Sequence, residues 1–335
     1  MKASLKTKLV TSFLAVIVIC GLVATLVGTR LIGTGIVRQA QDKVRNDLNA
    51  AREIYRQENE KLKDTVRFTA LRRFFIREAL LNNDIKALTE ELEKIRKAES
   101  LDILTLTDDA GRVVVRFRNP SISGDSQAND GLVSRVLASR QAVAATVIVP
   151  EEELRKEGAD LVEQACIEYI PTPKAKPTLE TKQTSGMMIK GAAPILGDDG
   201  RLLGVLYGGS LLNRNYKIVD KVKETVYQAV KYEGKDIGTA TIFQGDLRIS
   251  TNVLRADGTR AIGTRVSEEV YEQVLVKGLP WIDRAFVVNN WYISAYEPIR
   301  DVKGQIIGIL YVGILEEKFM DMRNKTTAIF LGIAF

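Results

Sequence analysis

Two stretches of the chain, AAPILGDDGRLLGVLYGGSLL (Ala192–Leu212) and YEPIRDVKGQIIGILYVGILE (Tyr296–Glu316), are nearly one sentence written twice. At a fixed offset of 104 they align without gaps, and the match extends back to Ile189/Ile293. The other shared positions are Pro194/Pro298, Ile195/Ile299, Gly200/Gly304, Gly204/Gly308, Leu206/Leu310, Tyr207/Tyr311, Gly209/Gly313 and Leu211/Leu315. Four of these nine involve Gly or Pro, residues that set turns and close backbone approaches instead of merely filling a core. A duplicated strand–turn–strand of this kind predicts two antiparallel-sheet modules in tandem, each closing with the same hairpin.

The residues between the copies support that division. LDILTLTDDAGRVVVRF (Leu101–Phe117) reads as a hairpin, with β-branched runs on either side of a DDAG turn. GLVSRVLASRQA (Gly131–Ala142) has helical spacing. Val149–Ser185, with IPTPKAKPT at its centre, reads as a polar loop. The second unit follows: a helix over Asn213–Tyr232, a hairpin in GTATIFQGDLRIST, a helix in VSEEVYEQVLVKG, and three strands.

Both ends point to a membrane. Leu9–Thr29 holds no charge across 21 residues, which spans roughly 30 Å as a helix, the thickness of a hydrocarbon core. Lys2, Lys6 and Lys8 precede it and place the N-terminus in the cytoplasm; a cleaved signal peptide is the competing reading. The apolar run Thr326–Phe335 reads as the start of a truncated second transmembrane helix or as a short core helix. On the former reading residues 30–325 form one extracytoplasmic loop. From Val37 to Asn82 there is no Gly or Pro. Val44, Leu48, Ala51, Tyr55, Leu62, Val66 and Thr69 recur at three–four spacing, as in a helix packed on its own domain or a stalk paired with a second copy. Asp84 is placed to cap the helix that follows.

Composition excludes much chemistry. There is no histidine, so histidine general acid–base catalysis, serine–histidine triads and histidine–zinc sites are ruled out within these residues. Cys20 and Cys166 make neither a disulfide framework nor a CxxC site. SxxK, GxSxG and HExxH hydrolase motifs are missing. The net charge of +6 is spread among alternating acids and bases, the pattern of solvated helix faces and not of a nucleic-acid surface. Asp108/Asp109 and Asp198/Asp199 each precede a hairpin Gly, which turn chemistry explains without calcium. No cofactor or metal is implied.

On GTATIFQGDLRISTNV (Gly238–Val253), DGTRAIGTRVSEEVYEQVL (Asp257–Leu275), WYISAYEPI and GQIIGILYVGILE, the chain closely resembles the fused double Cache ectodomains of bacterial transmembrane receptors, of the chemoreceptor and sensor-kinase type. The resemblance covers roughly residues 35–320. It implies two PAS-like modules; with the helices read above, the expected α+β fold is a long N-terminal membrane and stalk helix, then two antiparallel-sheet modules, then the truncated second membrane helix. The expected segments are a cytoplasmic 1–8, a transmembrane 9–29, stalk helices 30–97, a membrane-distal module 98–212, a linker helix 213–234, a membrane-proximal module 235–316 and a final helix from 317. In that family the distal module usually holds the ligand and the proximal one relays its shift to the last membrane helix.

Candidate ligand contacts follow from the residues and from that resemblance. On the strand RVVVRFRNP, period two puts Val113, Val115 and Phe117 on one face and Val114, Arg116 and Arg118 on the other. Two guanidiniums on one face need an anionic ligand, acidic side chains or water between them. RFRNP is similar to the Arg-x-x-His-x-Asn-Pro run of citrate and dicarboxylate sensor kinases, though it has no histidine and shorter spacing. Lys190 falls where those sensors place a basic contact, and its counterpart in the second copy is Ser294. Tyr169 is either a lid over the pocket or loop packing. The expected function is therefore sensing of a small anionic metabolite, such as a carboxylate, at Arg116, Arg118, Lys190 and Tyr169 of the distal module, in a homodimer at the cell membrane. The alternative is an interaction module that senses a periplasmic partner protein.

Overall fold

The computed structural model describes residues 5–72, 76, 78 and 85–334. Lys2 and Asp84 lie outside the described residues. Helix α1 (Leu5–Ala70) is continuous for 66 residues. Its first part is exposed on every side, and it is the one helix among the described residues long and apolar enough to cross a membrane. Further along, Val44, Leu48, Ala51, Tyr55, Leu62, Val66 and Thr69 are all buried, so the three–four stripe packs on the chain's own sheets. Each large member of such a stripe contributes about 1.5–3 kcal/mol by leaving water. Helix α2 (Ile85–Ala98) buries Leu88 and Leu92 beside it.

The first sheet comprises β1 (Ile103–Asp108), β2 (Val113–Arg116), β3 (Val143–Val149), β6 (Gly186–Leu196) and β7 (Leu202–Leu211), in the order β2-β1-β7-β6-β3. The second comprises β10 (Gly238–Gln244), β11 (Leu247–Thr251), β12 (Trp281–Val287), β13 (Asn290–Arg300) and β14 (Ile306–Leu315), in the order β11-β10-β14-β13-β12. These are one antiparallel topology used twice. β13 and β14 begin and end 104 residues after β6 and β7, so the echo in the sequence is the closing hairpin of each module. The second module lies nearer the apolar end of α1 and is called proximal below; the first is distal.

Three segments depart from the sequence expectation. Val149–Ser185 contains α4 (Glu151–Glu157), α5 (Ala159–Ala165) and the short pair β4 (Ile167–Glu168) and β5 (Lys182–Gln183). Two-turn helices are too short to show a period, and Glu151–Glu153 in the first turn of α4 favour it electrostatically. The linker helix α6 is only Lys217–Tyr227, because Gln228 adopts a left-handed conformation that stops it. A short pair, β8 (Lys231–Tyr232) and β9 (Lys235–Asp236), follows. The second-module helix is α7 (Glu268–Val270), continued as a π-turn over Tyr271–Val276.

Alternation on the strands decides what faces what. On β6, Ile189 and Ala193 join the core under α1, while Met188, Lys190 and Ala192 face α3 (Gly131–Ser139) and α4. On β13 and β14, Ile293, Ala295 and Val312 pack towards α1, and Tyr292, Tyr296 and Tyr311 face away from it. A cavity opens on that second face in each module. Helix α8 (Glu316–Ala334) follows β14 without a break and runs beside α1, with Phe330 against Gly28.

Candidate ligand cavity of the distal module

The distal cavity, about 350 Å³, lies between β3, β6 and β7 on one side and the N-terminus of α3 and α4 on the other. Lys190 reaches it from β6 and is 4 % exposed. Its Nζ donates to Asp130 Oδ2 at 2.7 Å and sits 4.1 Å from the centre of the Tyr207 ring. Asp130 also caps α3, since its Oδ1 accepts the N–H groups of Leu132 and Val133. Burial alone would raise the Asp130 carboxyl, but Lys190 and those N–H groups together hold it below its ordinary value.

Glu157, at the end of α4, lines the cavity and carries an unusual atom. Its Oε1 accepts from Thr105 Oγ1 at 2.9 Å and Arg116 Nε at 3.2 Å, while Oε2 is buried without a hydrogen-bond partner. A buried acceptor left unmet costs about 1–3 kcal/mol. Burial pushes the Glu157 carboxyl up despite the nearby Arg116.

The structure places the four expected contacts in different surroundings. Arg116 is 1 % exposed and already answered by acids: it makes a bidentate pair with Asp125 at 2.7 and 2.9 Å and reaches Glu157 and the Ile122 carbonyl. Arg118 does not join that network; it pairs with Asp160 and donates to the Asp102 carbonyl. Of the four, only Lys190 lines the cavity. Tyr169 closes no lid there, because the excursion that carries it leaves the distal module. Its ring lies over Arg265 of the proximal module at 5.5 Å and its hydroxyl donates to Glu180. An arginine on a strand gives no sign of where its counter-charges lie, since Asp125 and Glu157 are set by loops and a short helix.

Residues that the sequence did not mark complete the wall. Gln127 and Glu153 line it, and so does the turn of the β13–β14 hairpin, through Asp301, Val302, Lys303 and Gln305. Val302 packs into the distal core cluster, with its Cγ1 against Gly131. Among the described residues, four carboxylates (Asp130, Glu153, Glu157, Asp301) face two ammonium groups (Lys190, Lys303) around the space. That balance does not favour the simple anion expected from Arg116 and Lys190.

Arg116, with Lys156 at 3.1 Å, holds the Asp125 carboxyl well below its ordinary 3.8. A depressed carboxylate contributes stability that is complete above its unfolded value and is lost as pH falls through its folded value. The unfolding free energy is therefore expected to fall more steeply below about pH 4 than in the Asp125→Asn variant, as read by urea titrations at stepped pH.

Residues 210–326 match the family model described as Single cache domain 3. The proximal module is a Cache domain. The distal module repeats the strand order of that Cache module. A comparison with curated protein sequences found no match. Among solved structures, the chain is similar to the periplasmic domain of Vibrio cholerae LuxQ (12 % identity, 84 % of this chain and 99 % of that chain, TM-score 0.45). It is also similar to the ligand-binding domain of the Pseudomonas aeruginosa amino-acid chemoreceptor PctB in complex with L-Gln (12 %, 89 % and 98 %, 0.40). A third is the ligand-binding domain of the Campylobacter jejuni chemoreceptor Tlp3 in complex with L-valine (9 %, 87 % and 97 %, 0.43).

Proposed function

We propose that the chain is the sensory region of a bacterial transmembrane receptor and that the distal cavity takes a small molecule bearing an amine. The apolar segment of α1 crosses the membrane, its lysines stay on the cytoplasmic side, and both modules stand outside the cytoplasm. An ammonium group suits the unmet Glu157 Oε2 and the carboxylate-rich wall, and Lys190 and Lys303 suit an acidic group on the same molecule.

The observation that carries this reading is the hairpin turn at Asp301–Gln305, which walls a cavity of the other module. A ligand there touches both modules, so it favours whichever arrangement of the two fits it better. β14 runs from that turn directly into α8, a short mechanical path to the membrane. The reading is tested on the whole chain in lipid nanodiscs by thermal melting with panels of amino acids, primary amines and dicarboxylates. An amine-bearing compound is expected to raise the melting temperature, and Glu157→Gln and Val302→Asp are each expected to weaken its binding at least fivefold. If dicarboxylates alone stabilise, or if Val302→Asp leaves affinity unchanged, the proposal is wrong.

A further inference from the structure

The face of the proximal sheet that points away from α1 holds a second cavity, of about 290 Å³. Its floor carries Arg248, on β11, which is 3 % exposed. Nε of Arg248 donates to Thr264 Oγ1 at 2.9 Å, and Nη1 to Thr241 Oγ1 at 2.8 Å and Thr251 Oγ1 at 3.3 Å. Among the described residues no carboxylate pairs with it, and its Nη2 makes no hydrogen bond. This contrasts with Arg116 of the distal module, which two acids neutralise. The hydroxyl dipoles, with the Phe243 and Tyr311 rings at 4.9 and 6.0 Å from the guanidinium carbon, offset the buried charge only in part, and no anion completes the set among the described residues.

The rest of the lining leans the same way. Arg255 also lines the cavity, and its Nε is buried without a partner. Arg265 and Arg284 are there too but are answered by Asp246 and Glu316. The one acid on the wall among the described residues, Glu269, is exposed. Trp281 packs edge-on to Tyr296, and Phe286 edge-on to Trp291, which gives the space apolar sides. Its cover comes from the distal module: Ile170–Lys174 crosses over it, held by Ile170 N–H to the Gly263 carbonyl at 2.8 Å, Arg265 N–H to Thr172 Oγ1 at 3.0 Å and Glu268 N–H to the Lys174 carbonyl at 2.7 Å. Pro171 and Pro173 stiffen that strap.

We infer that the proximal cavity is a second ligand site, for a small monocarboxylate with an apolar body, anchored by Arg248 and covered by the distal strap. The carboxylate takes the free Nη2 of Arg248 and the Nε of Arg255 while the body lies against the aromatic rings. The site stands apart from the amine-binding distal cavity, and either can be present without the other.

The two tryptophans of the chain, Trp281 and Trp291, both line this cavity, so tryptophan emission, excited selectively over the tyrosines, reports on it directly. The whole chain in nanodiscs is titrated with acetate, benzoate, phenylacetate and phenylpropionate, and with the neutral phenylacetamide. At least one aromatic carboxylate is expected to shift the emission saturably, and at least tenfold more tightly than phenylacetamide. Arg248→Met is expected to abolish the effect while leaving the ligand-free melting temperature equal or higher, because it removes a buried charge that hydroxyl dipoles and ring faces offset only in part. Arg255→Gln, on a less buried side chain, is expected to weaken binding at least fivefold. Glu157→Gln, in the other cavity, leaves the titration unchanged. Absence of a saturable shift with all four anions overturns the inference, as does equal binding of the amide. A ligand-free melting temperature that drops in Arg248→Met would also overturn it, since that marks a purely structural arginine.

Discussion

Replacing Arg116 with alanine is expected to destabilise the chain by about 3–5 kcal/mol, measured by urea unfolding followed by circular dichroism. The effect comes less from lost attraction than from what remains. Asp125 loses both of its bidentate donors, and the nearly buried Glu157 keeps only Thr105. An uncompensated carboxylate in a closed space costs more than the ion pair contributed. Arg118→Ala is the control: its partner Asp160 is well exposed, and exposed pairs of this kind contribute about 0–1 kcal/mol. If Arg116 were held in reserve for a ligand, its removal would leave the ligand-free protein as stable as before. Equal melting curves for Arg116→Ala and the unmodified chain would therefore reject the structural role assigned to it.

The second large effect is expected at two glycines that the repeat shares. A methyl group added at Gly308 would meet the Phe243 carbonyl oxygen at 2.1 Å, and one added at Gly204 would meet the Thr107 carbonyl oxygen at the same distance. Both obstacles are backbone of the neighbouring strand, which cannot step aside as a flexible side chain can. Gly308→Ala and Gly204→Ala are each expected to cost about 3 kcal/mol through forced separation of β10 from β14 or of β1 from β7. Gly35→Ala, in α1 with open space around the added methyl, is expected to leave stability unchanged or slightly raised. A loss at Gly35 matching that at Gly308 would show that crowding between the strands is not the cause.

These glycines also show why the duplication was legible in the chain. Gly204 and Gly308 occupy equivalent places because each lets a hairpin strand approach its neighbour's backbone, a requirement that no other residue meets. Lys190 against Ser294 was likewise visible as an asymmetry, and both side chains do face the cavity side of their sheets. The stripe from Val44 to Thr69 was readable because a helix repeats its buried face every three or four residues. The sequence could not say whether that face met the chain's own sheets or a second copy, and in the structure it meets the sheets.

The site was much less legible. The chain by itself determined the two modules, their shared closing hairpin and the long apolar helix, because each rests on local periodicity or on glycine geometry. Only the tertiary structure decided that Arg116 is neutralised, that Glu157 presents an unmet oxygen and that Arg248 has no counter-charge. Charge compensation depends on residues tens of positions away, brought together by loops without any period. The exchange of covers was equally hidden: a proximal turn walls the distal cavity, and a distal strap crosses the proximal one. Contacts between modules leave no pattern within either segment, so the physics that joins the two cavities appears only once the chain is folded.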